Sequence, residues 1–587
     1  MTTRRALRAL SAASLAVGLA VASVLPAGAA SGPDPEGSSS ASTRPASTEV
    51  TPGTGPVSVS VIAPVTLPPT ASGLVSADEL ETLTGPFGAL TRQLDAVAGT
   101  PAAIALDPMI LASIRVLGST APDSARQWLT RLGALSNEVF LLAYADADLV
   151  AAVRTHTLAD LQPSGFGFAL DPANFSPAET SAATPTPTPS PTPTTPVDPD
   201  AAPPFPTTDD LLAWNSTLPR IAWPSTDVGA ADLAGIAEAG YDDVILSSTT
   251  TGDPSAPLVS FDGIQGIVVD EAISQSLQEA AGAASLTVRT TALDALTAQL
   301  AAETAARPGR GLVLTLDRTW PYAQPGLPDT LARLASTASA AFVPLSEILA
   351  TQPLAGHLDE GTATEERGAV FTALAADAAA ETAFSSVLDD PAPLLDPRRL
   401  ERIALYALAW HDDETDWTEA VSAFRQRSSE IITSVKLEQG SDVALLAAHA
   451  NVKIAVSNAL PYAVNVRVTV DPQGPILRVL ESRLITVEPE STATASIPVE
   501  AVANGQVTVL TSIASPTGVP LDSGHASVAV HAEWEGIGTL VVVVVLVLIF
   551  VAGLLRLIVM RRRARRARDE GEPVDAETST ASAEGDG

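Results

Sequence analysis

The sequence predicts an α/β domain on a mainly parallel sheet, then a helical stretch, an all-β domain and one membrane-spanning helix. Three observations lead there. Short apolar strand signals alternate with helical ones from Val57 to about Pro344. Short β runs, separated by turn residues, fill Val443 to Val530. Ile537 to Leu555 contains no charge, and at about 1.5 Å per residue such a helix crosses a bilayer core of roughly 30 Å.

Composition sets the outer limits. The chain has 587 residues, a formal charge of −34 and no cysteine. Zero Cys excludes a disulfide framework, thiolate metal sites and a Cys nucleophile. Only Lys436 and Lys453 are lysines, so nearly all basic residues are Arg. An acidic chain lacks the basic face that nucleic acid requires. No cofactor is implied.

The elements follow in chain order. Residues 1–30 read as a secretory signal peptide: Arg4, Arg5 and Arg8, an apolar run from Leu10 to Leu25, then Ala27-Gly28-Ala29-Ala30. Residues 31–56, rich in Ser, Pro, Thr and Gly, bury too little to fold and read as a disordered stalk.

Residues 57–364 carry the β-α alternation. Strands are expected at Val57–Ile62, Ala102–Leu106, Val139–Tyr144, Gly167–Leu170, Arg220–Trp223, Asp243–Ser247, Gly266–Val269, Leu286–Arg289, Leu312–Leu316 and Ala341–Pro344. Helices are expected at Leu80–Val97, Pro108–Leu117, Asp123–Leu135, Asp148–Thr155, Ala230–Ala239, Leu293–Ala306 and Thr330–Ala338. That many strands suits a distorted (β/α) barrel better than an open sheet. A Pro/Thr-rich insertion at 177–204, with Thr184–Pro196 at its centre, reads as an extended spacer.

Residues 365–439 turn helical, at Val370–Leu388, Arg399–Trp410 and Trp417–Val435, with Asp416 placed to cap the last helix. Residues 440–533 suit an immunoglobulin-like sandwich, with strands at Val452–Val456, Val464–Val470, Arg483–Val487, Ala493–Val499 and Val507–Ser512. The span occupies 537–560, with Trp534 at its entry, and the tail is 561–587. Arg561, Arg562, Arg563, Arg565, Arg566 and Arg568 follow the span, which places the tail in the cytoplasm by the positive-inside rule. The expected location is therefore the cell membrane, single-pass type I, with the acidic bulk outside.

A family resemblance rests on particular segments. They are Ala105-Leu106-Asp107-Pro108, Tyr144-Ala145-Asp146-Ala147-Asp148-Leu149 and Ala222-Trp223-Pro224 in the α/β part. In the β part they are Val456-Ser457-Asn458-Ala459-Leu460-Pro461-Tyr462, Val499-Glu500-Ala501-Val502-Ala503-Asn504-Gly505 and His531-Ala532-Glu533-Trp534. Together they resemble an uncharacterised actinobacterial family of secreted, membrane-anchored proteins, often encoded beside a MurJ/MviN-type lipid II flippase. The resemblance implies an envelope setting and no reaction.

The candidate site residues are acids and aromatics at strand ends. Asp107, Asp146, Asp270 (with Glu271) and Asp317 follow apolar strands, where α/β barrels build their active face. Two such acids could act as a glycosidase pair. Tyr144, Asp171, Trp223 and Trp320 are candidates for binding a sugar. The competing reading is local: Asp-Pro after a strand is ordinary helix-start chemistry, and Asp107-Pro108 and Asp171-Pro172 fit it. A zinc deacetylase would need paired histidines, and none of the six His forms an H-x-x-x-H pair. His411-Asp412-Asp413-Glu414 reads as a solvated loop rather than a cation site. Two functions stand first: a non-catalytic module binding a wall glycan or an envelope partner, and a glycosidase-like hydrolase. A third is an accessory subunit of a membrane transporter.

Overall fold

The computed structural model describes residues 55–175, 205–224, 228–251, 256–261, 263–318, 325–358, 365–438, 443–531 and 535–566. The expected signal peptide, all but the last two residues of the stalk, the 177–204 insertion up to residue 204 and the tail beyond 566 lie outside them. So do Trp320, Trp534 and Arg568.

One sheet organises the α/β part. Its strands are β1 (Val57–Val65), β2 (Ala103–Leu106), β3 (Val139–Leu141), β4 (Ile221–Ala222), β5 (Asp243–Ser247), β6 (Leu258–Phe261), β7 (Ile264–Val269), β8 (Gly311–Thr315), β9 (Ala340–Phe342) and β10 (Leu354–Ala355). Parallel pairing runs β4-β5-β7-β8-β1-β2-β3. β9 lies parallel beside the start of β1. β6 is antiparallel to β7 and carries β10 on its other edge.

The sheet curls, because residues from both ends of that order share one inner cluster. Ile62, Ala103, Phe140, Ile221, Ile245, Ile267 and Val313 meet there. The segment entering β4 bonds back to β3: Ser216 Oγ donates to the Val139 carbonyl at 2.7 Å, and Val139 N–H donates to Thr217 Oγ1 at 3.2 Å. The alternate residues, such as Val59, Val61, Ile104, Val244 and Leu314, face the helices. Burial on both faces explains why these strands read as nearly continuous apolar runs.

Several elements differ from the sequence expectation. Leu286–Arg289 is not a strand but the first turn of a helix spanning Leu286–Ala306. Its Thr and Val residues favour β structure, but the Ser285 side chain accepts from Val288 N–H and caps a helix there. Gly167–Leu170 forms a single 3₁₀ turn, Gly167–Ala169, and pairs with no strand among the described residues. The expected helix Leu80–Val97 is two helices, Ala77–Thr84 and Ala89–Val97. Gly85-Pro86-Phe87-Gly88 separates them, since Pro86 has no N–H to donate. The last helix of the helical stretch, Glu414–Ile432, is capped by Asp413, whose carboxylate accepts from the Asp416 N–H.

Helices Glu365–Phe384, Ala392–Leu405 and Glu414–Ile432 join the two halves of the molecule. Phe371, Tyr406, Trp417 and Phe424 enter the core of the curled sheet. Phe384, Val387 and Leu394 enter the core of the β domain. Between the helices, buried Arg398 bonds Glu381 at 2.9 Å and lies over the Phe424 ring at 3.7 Å.

The β domain holds β11 (Val435–Leu437), β12 (Val443–Leu445), β13 (His449–Asn458), β14 (Val464–Pro472), β15 (Leu477–Val479), β16 (Arg483–Val487), β17 (Ser491–Ala501), β18 (Gly505–Ala514) and β19 (Pro520–Val530). Two sheets, β11-β13-β17-β15 and β12-β19-β18-β14-β16, share one core of Val452, Val456, Val466, Val468, Ile497, Val507 and Val528. All pairs are antiparallel except β12 with β19. A helix, Glu535–Arg566, ends the described chain. Its Leu540–Arg563 portion is long and apolar enough to cross a membrane, and its most apolar 18 residues have a mean hydropathy of 3.2 and no burial against the rest of the protein.

Candidate functional site

A cleft of about 700 Å³ opens at the C-terminal ends of the parallel strands. Each wall comes from a strand exit. Thr66 to Pro69 follow β1, Trp223 and Pro224 follow β4, and Ser247 ends β5. Glu271 follows β7, and Leu316, Asp317 and Arg318 follow β8. The helical stretch closes one side with His411, Asp412 and Asp413.

Arg318 is the centre of this arrangement. Its guanidinium pairs with Asp146 and donates to the Trp223 carbonyl. It also lies over the Trp223 ring, 4.7 Å from the centroid. Its own carbonyl accepts from Thr66 Oγ1 at 3.1 Å, which ties the exits of β1 and β8 together. Burial raises the Asp146 carboxyl above its ordinary range, and the Arg318 charge opposes that rise.

Asp146 reaches the cleft through an unusual turn. Ala145 and Asp146 both have positive φ, 57° and 48°. Left-handed backbone costs a residue with a Cβ about 1–2 kcal/mol. Asp107 holds the turn in place: its Oδ1 accepts from Ala145 N–H at 2.9 Å and from Met109 N–H at 2.8 Å. One carboxyl thus caps the helix at Pro108–Arg115 and clamps the turn that presents Asp146. Burial pushes Asp107 up to about 8, with the Asp146 charge adding to the rise and the two N–H donors opposing it.

The predicted site residues therefore separate. Asp146, Asp317 and Trp223 line the cleft. Asp107 sits buried behind it. Asp270 caps the helix Glu271–Gly282 and lies 3.7 Å from Arg310, while Glu271 beside it does line the cleft and accepts from Ser247 Oγ at 3.2 Å. Tyr144 is in the core, not on the cleft. Its hydroxyl donates to the Gly73 carbonyl at 2.6 Å and its ring packs on Phe166. Asp171 caps a surface turn at Pro172–Asn174, whose Asn174 side chain donates to Thr120. Trp320 lies outside the described residues.

Sequence reasoning missed Arg318, whose only signal was its place next to a strand-end acid. It read His411 to Asp413 as a solvated loop. The structure brings those residues to the cleft wall, His411 Nε2 lying 3.8 Å from the Asp148 carboxylate. Among the described residues, no three His, Asp or Glu side chains converge as a metal ion would need.

Fold and cleft together define the class: an α/β protein on a curled parallel sheet, joined by helices to a two-sheet β domain and one apolar C-terminal helix. The chain belongs to a family of unknown function, DUF6049, whose model matches residues 29–573. No curated protein matches it in sequence. Among solved structures it is similar to the α-amylase AmyC from Thermotoga maritima, at 9% identity and a TM-score of 0.40, over 64% of this chain and 93% of that one. Its similarity to the Salmonella α-2-macroglobulin mutant Y1175G (18% identity, TM-score 0.14) covers 17% of this chain and 7% of that one. Its similarity to the CARDB domain of the PF1109 protein from Pyrococcus furiosus (17% identity, TM-score 0.14) covers 17% of this chain and 93% of that domain. These likenesses are too distant to bear on chemistry.

Proposed function

We propose that this protein is a membrane-anchored envelope module whose cleft binds a wall glycan without cleaving it. In this reading the curled sheet is a distorted (β/α) barrel and the β domain an immunoglobulin-like spacer. The signal peptide is removed, the apolar helix spans the membrane, and the Arg cluster from Arg561 stays inside. The envelope setting carries over from the resemblance to actinobacterial proteins encoded beside lipid II flippases.

One observation carries the preference for binding over hydrolysis. The strand-end acids best placed for catalysis already have structural work. Asp107 clamps a turn, Asp270 caps a helix, and Asp146 is neutralised by Arg318. The cleft walls also present Trp223, Ser247, Gln278, Glu271 and Asp317, side chains whose chemistry suits hydroxyl-rich ligands. Hydrolysis is the second reading, because Glu271 and Asp317 both line the cleft.

Calorimetric titration of the detergent-solubilised chain with a panel of wall glycans tests this. Saturable heat, lost in Trp223→Ala and in a Glu271→Gln, Asp317→Asn double variant, supports a binding cleft. Continuous heat with new reducing ends supports the hydrolase. Silence across the panel sinks both, and leaves a protein partner as the account of the cleft.

A further inference from the structure

The β domain has two unlike ends. Its far end, with the turns at 459–463, 488–490 and 515–519, lies toward the helical stretch. Tyr462 donates to the Pro393 carbonyl there at 3.1 Å, and Glu488 and Glu490 flank one turn. At its near end β19 stops at Val530, and four residues later the apolar helix begins at Glu535. The five steps from Val530 to Glu535 reach at most about 18 Å. The near end is therefore held close to wherever that helix is embedded.

Three loops form the near end: Leu446-Ala447-Ala448, Gln473-Gly474-Pro475-Ile476 and Val502-Ala503-Asn504. None contains Asp, Glu, Lys or Arg, in a chain with a net charge of −34. Backbone hydrogen bonds stitch them together and to the chain's exit. His531 N–H donates to Leu445 O at 2.8 Å, Ala501 N–H to Ala448 O at 2.8 Å, and Val502 N–H to Ile476 O at 2.8 Å. The rim projects apolar side chains outward, Leu446 being 72% and Val502 47% exposed. The nearest strand acids are Glu500, paired with Arg478 at 3.3 Å, and Asp471, which accepts from Gln473. Glu533 lies in the connector, and Glu535 is the first residue of the helix.

We infer that this rim is a second membrane contact: Leu446 and Val502 enter the interfacial layer of the bilayer that holds the chain's own span. The inference rests on the membrane-anchored reading above. Two features select the bilayer as the occupant: the short connector and the loss of charge on this rim. Apolar loop tips gain by leaving water, while acids there would be repelled by anionic headgroups. The contact would fix the tilt of the β domain, and with it the direction in which the cleft faces.

The chain has no cysteine, so single labels are unambiguous. Leu446→Cys, Val502→Cys, Thr517→Cys and Leu546→Cys variants of the full chain, each labelled with an environment-sensitive fluorophore, are reconstituted in phosphatidylcholine–phosphatidylglycerol vesicles. Headgroup-level nitroxide lipid serves as quencher. The expected result is blue-shifted emission at 446 and 502, lost on adding quencher, with 517 at the far end behaving as in water. If 446 and 502 match 517 while deep-quenching lipid still reaches 546, the anchor stands and the rim contact is refuted. If 546 is not reached, the anchored reading fails and takes the rim contact with it. If 446 and 502 are shielded in proportion to protein density but not by lipid quencher, a second copy covers the rim and the inference is also overturned.

Discussion

Asp107→Asn isolates a group whose protonation is coupled to folding. Asp107 is buried and raised from 3.8 to about 8, so the folded protein holds a proton there that the unfolded chain releases near pH 4. The sign follows from linkage. The raised group stabilises the fold fully below about pH 4, and that contribution is lost as pH rises toward about 8. At about 1.4 kcal/mol per pKa unit, the shift makes Asp107 destabilising by about 4 kcal/mol at pH 7 relative to pH 4. Asparagine mimics the protonated carboxyl: its oxygen still accepts from Met109 and Ala145 N–H, and it carries no charge. The variant should therefore match the parent near pH 4 and exceed it increasingly up to pH 8. Urea unfolding at stepped pH, followed by tryptophan fluorescence, measures this, since Trp128, Trp410 and Trp417 all lie in the core of the curled sheet. Parallel stability curves for the two proteins from pH 4 to 8 would refute the reasoning. They would mean that the two N–H donors keep Asp107 ionised.

Two further predictions follow from the cleft and its surroundings. Arg318→Met leaves Asp146 buried without its counter-charge and should cost about 3–5 kcal/mol, most of it restored in an Asp146→Asn background; a double-mutant cycle in urea reads the coupling. Gly73→Ala should cost about 2 kcal/mol or more, because φ is +69° and a Cβ there would lie 2.4 Å from the Leu400 carbonyl oxygen; thermal unfolding of the two proteins side by side checks it.

The sequence made the layered architecture legible wherever apolar spacing is regular. β5 ends where Asp243-Val244-Ile245-Leu246-Ser247 ends, and the Val-rich C-terminal helix could be read from composition alone. Legibility failed where local preference and tertiary context disagree. Thr287-Val288-Arg289-Thr290-Thr291 favours a strand by residue type, yet it lies on the exposed first turns of a helix that buries only Leu293, Leu296 and Leu300. The strand Pro520–Val530 went unread because Asp522, Gly524 and His525 dilute its alternation. At the site, the Asp-Pro pattern marked the helix-start caps of Asp107 and Asp171, but not the longer-range duties of the strand-end acids. Whether such an Asp also clamps a remote turn or meets a counter-charge depends on distant groups: on Ala145 for Asp107, Arg310 for Asp270 and Arg318 for Asp146. No local pattern encodes those partners.

Strand β1 has a consequence for the order in which the molecule can be completed. It is the first element among the described residues, yet it pairs β8 from Ser58 with Gly311 onward, and β9 from Val57 with Ala340 onward. Only β2 is made soon after it. During vectorial emergence from a ribosome or a translocation channel, nine β-prone residues wait with one edge unpaired until Thr315 has followed. The nascent chain is most exposed to mispairing in that interval. Conditions that lengthen it, such as slowed elongation or saturated holding chaperones, should reduce yield without altering the stability of molecules already folded.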